Sequence, residues 1–205
     1  MGDNPARWRG LLENLLPHQN GTKQHMAAMP WKDLPAFIQK LRAEPDNAAR
    51  APELTILTAA RSGEILGARW PEFDLGGATW SVPAERTKRN REHRVPLSRR
   101  AVELLEGLPR VGEFVFVGRG DSKPDRQTLL RVLARMDVEI TVHGFRSSFK
   151  DWATEATQYA DIVVEQALAH QVGGAVERAY RRGDLLDQRR RLMQDWADWL
   201  GGPAE

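Results

Sequence analysis

The chain has 205 residues, 41% of them hydrophobic, with 30 Lys and Arg against 28 Asp and Glu for a formal net charge of +2. That is enough apolar material for one sizeable domain, or for one domain with a fragment of another. With no cysteine, disulfides, thiolate nucleophiles and cysteine-ligated metal sites are excluded, and any chemistry falls to oxygen and nitrogen groups. No run of about 20 apolar residues could cross a bilayer, and the opening "MGDNPARWRG" lacks the apolar stretch of a secretory signal. A cytoplasmic protein without a membrane partner is therefore expected.

In chain order, Pro5 to Leu16 reads as a short helix with Asn4 as its cap, followed by the polar connection "HQNGTKQH". One helix ahead of a linker cannot bury its own apolar face, so residues 1–25 read as the end of a preceding domain and 26–205 as the main one. Leu34, Phe37, Ile38 and Leu41 recur at helical spacing. The nearly continuous apolar run "AARAPELTILTAA" predicts a buried central helix that delivers "RSGEILGARW" to a fixed place. "FDL", a Gly-Gly turn and "ATWSVPAERTKRNREHRVPL" predict short strands and a basic hairpin tip at Arg89 to Arg91. Ser98 caps a helix over "RRAVELLEGL", "FVFV" adds a short extended piece, and "GRGDSKPD" is a loop. Helices follow near Arg126–Met136, Gly144–Ala156, Asp161–Ala169, Gly174–Arg181 and Leu185–Leu200. The class is mainly α with a small antiparallel sheet.

Positive charge is concentrated in "ERTKRNREHRVPLSRR" and "AYRRGDLLDQRRR". Basic blocks spread over separate elements suit one surface that meets a polyanion, although a solvated face is the ordinary fate of a charge run. Four places hold polar groups that a buried core does not require: Arg61 and Glu64 in "TAARSGEILGARW", Lys88 in the hairpin, His143 and Arg146 in "TVHGFRSSFKDW", and His170 and Tyr180 in "LAHQVGGAVERAY". Each has an ordinary explanation by itself. Arg61 and Glu64 are three apart on a helix, as common ion pairs are. His143 and Arg146 suit a helix start, and His170 a helix end.

The ordered set of Arg61, Lys88, His143 with Arg146, His170 and Tyr180 resembles the tyrosine recombinase (phage integrase) family. "GARW.EFDL", "REHRVPLS" and "ALAH" are similar to stretches of integrases from temperate phages and genomic islands. The resemblance covers roughly Trp31 to Leu200 and makes the leading helix the end of a core-binding domain. It implies the catalytic-domain fold of that family and site-specific cleavage and rejoining of DNA through a covalent 3′-phosphotyrosyl intermediate, for integration or excision of a mobile element.

Under that resemblance Tyr180 is the nucleophile, and Arg61 and Arg146 hold the non-bridging phosphate oxygens. Lys88 protonates the departing 5′-oxygen, His143 and His170 bond the phosphate and help move the nucleophile's proton, and Glu64 orients the cluster from behind. Arg86, Arg89, Arg91, Arg94, Arg181 and Arg182 track the DNA backbone. No metal or other cofactor is implied. The partners are double-stranded attachment sites and further copies of the chain, a tetramer on DNA, with a monomer in isolation left open. Gly173 and Gly174 form a hinge for the tyrosine's segment. The alternatives are a type IB topoisomerase, a non-catalytic DNA-binding or directionality protein that keeps the fold, and a helical module whose basic faces bind RNA or an acidic partner.

Overall fold

A computed structural model describes residues 27–118, 120, 122–170, 174 and 183–202. The expected leading helix, the boundary at residue 25, Tyr180, Arg181, Arg182 and Gly173 lie outside them. Among the described residues eleven α-helices and strands follow in order: α1 (Leu34–Ala43), α2 (Arg50–Thr58), α3 (Ser62–Leu66), β1 (Phe73–Asp74), β2 (Thr79–Val82), β3 (His93–Pro96), α4 (Arg99–Glu106), α5 (Arg126–Arg135), α6 (Gly144–Ala156), α7 (Asp161–Ala167) and α8 (Leu186–Gly201). The three strands form one antiparallel sheet in the order β1-β2-β3, with Trp80 opposite both Phe73 and Val95.

Helix α2 is the central element, as its apolar run predicts: every residue from Ala51 to Thr58 is buried. Its hydroxyls are satisfied within the helix, Thr55 donating to the Ala51 carbonyl at 2.8 Å and Thr58 to that of Leu54 at 2.6 Å. The one carboxylate on this stretch, Glu53, is fully buried and receives Arg42 Nε at 2.8 Å, Arg50 Nη1 at 3.0 Å and Arg100 Nε at 3.0 Å. Burial raises the Glu53 pKa, but the hydrogen bonds from Arg100 and Arg42 outweigh it and hold the carboxyl below its ordinary range.

The final helix packs on the chain's own core. Its buried stripe is Arg189, Leu192, Met193, Trp196 and Leu200, at helical spacing. Trp196 meets Trp152 and Phe149 with ring centroids 4.9 and 5.5 Å apart, and its Nε1 donates to the Ile56 carbonyl at 2.8 Å. This bond fixes α8 against α2, because a buried indole N–H needs an acceptor.

The turn between β1 and β2 is held by Asp74, whose Oδ1 accepts from Gly77 N at 2.8 Å. "FVFV" contributes a single antiparallel bridge, Phe114 with Arg69. The connection from β2 to β3 is a ten-residue excursion with a 3-10 turn at Ala84–Arg86. Among the described residues, no helix is long and apolar enough to cross a membrane.

Candidate active site

The site begins where α2 stops. Ala59 adopts a left-handed conformation, φ 49°, which turns the chain out of the helix and leaves Arg61 extended at the head of α3. For an alanine this costs roughly 1–2 kcal/mol, so the packing around it must enforce the bend. Buried Glu64 then accepts from Arg61 N and from Arg61 Nη1, each at 2.8 Å. The other end of that guanidinium reaches toward the Leu168 and Ala169 carbonyls, at 3.4 and 3.5 Å. Glu64 thus holds both the backbone and the side chain of Arg61.

Arg146 enters from the first turn of α6, just after exposed His143. Its side chain is buried and donates to the Ala59 carbonyl through Nη1 and to the Leu168 carbonyl through Nη2, the latter at 2.6 Å. Both acceptors lie at helix C-termini, of α2 and α7, where backbone dipoles leave partial negative charge. Those ends help hold two guanidinium groups in one place. Burial, and after it the charge of Arg61, lowers the Arg146 pKa to about 10, which keeps it cationic at neutral pH. Gly144 makes the entry of α6 possible: a Cβ there would stand 2.4 Å from the Ala27 carbonyl oxygen.

His170 follows Ala169, which like Ala59 is a left-handed alanine, with φ 51°. Its Nε2 is 3.4 Å from Arg146 Nη2, and its Nδ1 is 2.8 Å from Glu165 Oε2. Lys150 Nζ donates to Glu165 Oε1 at 2.5 Å. Burial raises the Glu165 pKa, but its hydrogen bonds from Lys150 and His170 bring it below the ordinary carboxylate range. His143 has a lowered pKa, first through burial and then through the charges of Arg146, Arg61, His170 and Lys88. His143, Arg146, Arg61, His170 and Lys88 thus lie close enough to feel one another's charge.

Lys88 is exposed on the β2–β3 excursion and makes no hydrogen bond or ion pair among the described residues. It lines a cleft of about 310 Å³ together with Arg61, Arg89, Arg91, His170 and Asp184. A second cleft shares Arg61 and Lys88 and continues past His143 to Lys123 and Arg126. Of the arginines expected to track DNA, Arg89 and Arg91 face the first cleft. Arg94 lines it too, with its Nη2 2.8 Å from Asp184 Oδ2.

Arg86 differs. It is turned inward, donating to Glu72 Oε2 and, at 3.3 Å, to the Glu64 carbonyl. A Cβ on Gly67 would lie 2.6 Å from its Nη1. Burial lowers its pKa while Glu72 raises it, the first being the larger effect. Arg86 is thus engaged by Glu72 and the Glu64 carbonyl while it also lines the second cleft.

Three residues were missed by sequence reasoning. Glu165 meets Lys150 and His170 across two helices, and such a pairing has no local signature. Arg189 donates to the Asp184 carbonyl at 2.7 Å and the Arg94 carbonyl at 2.5 Å. Its signal was legible, since it is an arginine on the apolar stripe of α8. His93 sits on β3 two residues before buried Val95, the inward-facing phase of the strand. Burial, then the charge of Arg189, lowers its pKa to about 4.

Tyr159 hydrogen-bonds Asp195 Oδ2 at 2.6 Å and lines neither cleft. Burial and that bond raise its pKa to about 12.

A family model described as the phage integrase family matches residues 29–185. The prophage integrase IntZ of Escherichia coli strain K12 is 40% identical over 181 residues, covering 85% of this chain and 45% of that protein. The chain thus spans about half the length of the curated relatives it matches. Among solved structures, an integrase from mycobacterium phage Brujita aligns with TM-score 0.62 and 25% identity, over 81% of this chain and 57% of that one. The XerH site-specific recombinase bound to its difH substrate in a pre-cleavage complex aligns with TM-score 0.57 and 18% identity, over 84% and 54%.

Proposed function

The chain belongs to the phage integrase family, and on that footing we propose that it is the catalytic part of a site-specific recombinase that cleaves and rejoins DNA through a tyrosine. The observation that carries this reading is the grouping of Arg61, His170 and Lys88 on one cleft, with His143 on the adjoining cleft and buried Arg146 against His170. Two guanidinium groups are held there by helix ends and one backing carboxylate. That is the electrostatic arrangement a phosphodiester needs when charge builds on its non-bridging oxygens.

In the step, the Tyr180 oxygen bonds to phosphorus while the P–O5′ bond breaks. The phenol proton leaves to a histidine, and the departing 5′-oxygen takes a proton from Lys88. The 5′-hydroxyl of a second duplex reverses the attack and completes an exchange. Tyr180 lies outside the described residues, but only three residues separate it from Asp184, which lines the groove. At most about 14 Å of extended chain spans that interval. Tyr159, bonded to Asp195, is a poor competitor.

The DNA partner is supported by the basic groove and by the XerH complex, whose fold this chain shares. Exchange between two duplexes calls for several protomers, and a tetramer on DNA is part of the proposal.

The test is a pool of nicked suicide duplexes, randomised around the nick, with covalent protein–DNA bands read on a denaturing gel. The wild type and Tyr159→Phe should give the band and Tyr180→Phe should not. A wild type without a band at any salt concentration, or a Tyr180→Phe that keeps it, would overturn the reading.

A further inference from the structure

The contacts behind His170 go further than the reaction needs. Arg146 and Lys150 stand one turn apart on α6, and Glu165 lies on α7. His170 Nε2 lies 3.4 Å from Arg146 Nη2, His170 Nδ1 2.8 Å from Glu165 Oε2, and Lys150 Nζ 2.5 Å from Glu165 Oε1. A carboxylate only accepts and a guanidinium only donates. The neutral imidazole that satisfies both neighbours therefore carries its hydrogen on Nδ1, toward Glu165, and keeps its lone pair on Nε2, beside Arg146. The other tautomer would set N–H against N–H and leave the carboxylate facing a lone pair.

We propose that Glu165 is a positioning residue that holds His170 in the Nδ1–H tautomer, so that Nε2 takes the phenol proton of the nucleophile, and that Lys150 limits how strongly Glu165 does so. This rests on the reading of the groove as a phosphoryl-transfer site. In that step the phenol O–H bond breaks, its proton bonds to Nε2 in place of the long contact from Arg146 Nη2, which keeps its bond to the Leu168 carbonyl, and the oxygen's electron pair forms the bond to phosphorus. The imidazolium so formed keeps its Nδ1–H bond to Glu165 throughout.

The charged groups around His170 make the idea testable. Arg146, Lys150 and His143 come from α6 and its head, Arg61 and Glu64 from the start of α3, Lys88, Arg89, Arg91, Glu92, His93 and Arg94 from the hairpin, and Asp184 and Arg189 from the approach to α8 and its first turns. Glu165, from α7, is the carboxylate in direct contact with the imidazole. Replacing it with an amide leaves His170 facing a surplus of cations and lowers its affinity for a proton. Replacing Lys150 with Met releases Glu165 from a competing cation and raises that affinity. The two variants therefore move the same group in opposite directions, which a loss of packing would not do.

The experiment is 15N-histidine NMR of the full 205-residue chain, with His170 assigned through His170→Gln, titrated for wild type, Glu165→Gln and Lys150→Met. The expected results are an Nδ1–H tautomer in the wild type, a lower midpoint in Glu165→Gln, and a smaller, upward displacement in Lys150→Met. An Nε2–H tautomer in the wild type, or midpoints that stay put or move the same way in both variants, would overturn it. The acid limb of covalent-adduct formation against pH should follow the same midpoints, and Glu165→Asp should restore part of the rate that Glu165→Gln loses. A wild type that forms no adduct would sink the recombinase reading and leave the NMR result standing. An adduct whose acid limb ignores the midpoints would sink the role of His170 as proton acceptor.

Discussion

Helix α2 carries an arginine cluster near each end, and the two are built on opposite plans. At its N-terminal end three arginines converge on one buried carboxylate, Glu53, each within 3.0 Å. At its C-terminal end Arg61 and Arg146 share the Leu168 carbonyl, with one carboxylate behind Arg61. The first cluster is closed around an anion it already has. The second holds its cations together from behind, by helix ends and Glu64, beside an open groove that exposed Lys88 and two exposed histidines also reach. Both are rich in arginine, so residue type does not separate structural charge from functional charge. What separates them is whether the anion that completes the cluster belongs to the chain.

The sharpest way to break this contrast is to remove each cluster's organising group. Glu53→Ala strands three arginines and should cost about 3 kcal/mol or more in urea unfolding. Adduct formation per folded molecule should be unchanged, and a fall there would mean the two ends of α2 are not independent. Arg146→Ala should slow adduct formation roughly 10²- to 10³-fold per folded molecule. Arg146→Lys should rescue little, since an ammonium cannot reproduce the fork that meets the Ala59 and Leu168 carbonyls.

His93 adds a pH signature on the groove side. Its pKa is about 4 in the folded chain, through burial and then the charge of Arg189, against about 6.5 unfolded. The unfolded chain therefore binds the proton first as pH falls. Stability from this group is full above pH 6.5 and declines by about 3 kcal/mol toward pH 4. The wild-type and His93→Gln stability curves should diverge over that window, and parallel curves would contradict the assignment. The smallest effect distinguishes two hairpin arginines from a third. Arg89→Ala and Arg91→Ala should each reduce the slope of log affinity against log salt for duplex DNA by about one. Arg86→Ala, whose partner is Glu72, should leave the slope alone and lower stability.

Much of this was legible in the sequence. The apolar run of α2, the Ser98 cap and the stripe of α8 are local patterns, and they predict their elements closely. Arg61, His143, Arg146 and His170 stood out because their order along the chain resembles one family. The inward turn of Arg86 was hidden, since a basic hairpin gives no hint of which arginine finds an internal carboxylate. Glu165 was hidden because Lys150 lies on another helix and His170 meets it only through the turn that ends α7, and Glu53 because an isolated acid in an apolar run does not announce three cations from α1, α2 and α4.

The central claim, that this groove serves a tyrosine nucleophile, is tested most directly by locating the covalent bond to DNA. Trypsin cleaves after Arg178 and Arg181, so Tyr180 and Tyr159 fall in different peptides. After trapping on a suicide duplex and nuclease digestion, mass spectrometry should find the nucleotide on the peptide Ala179–Arg181. A nucleotide on the peptide that holds Tyr159, or on neither, would contradict the account.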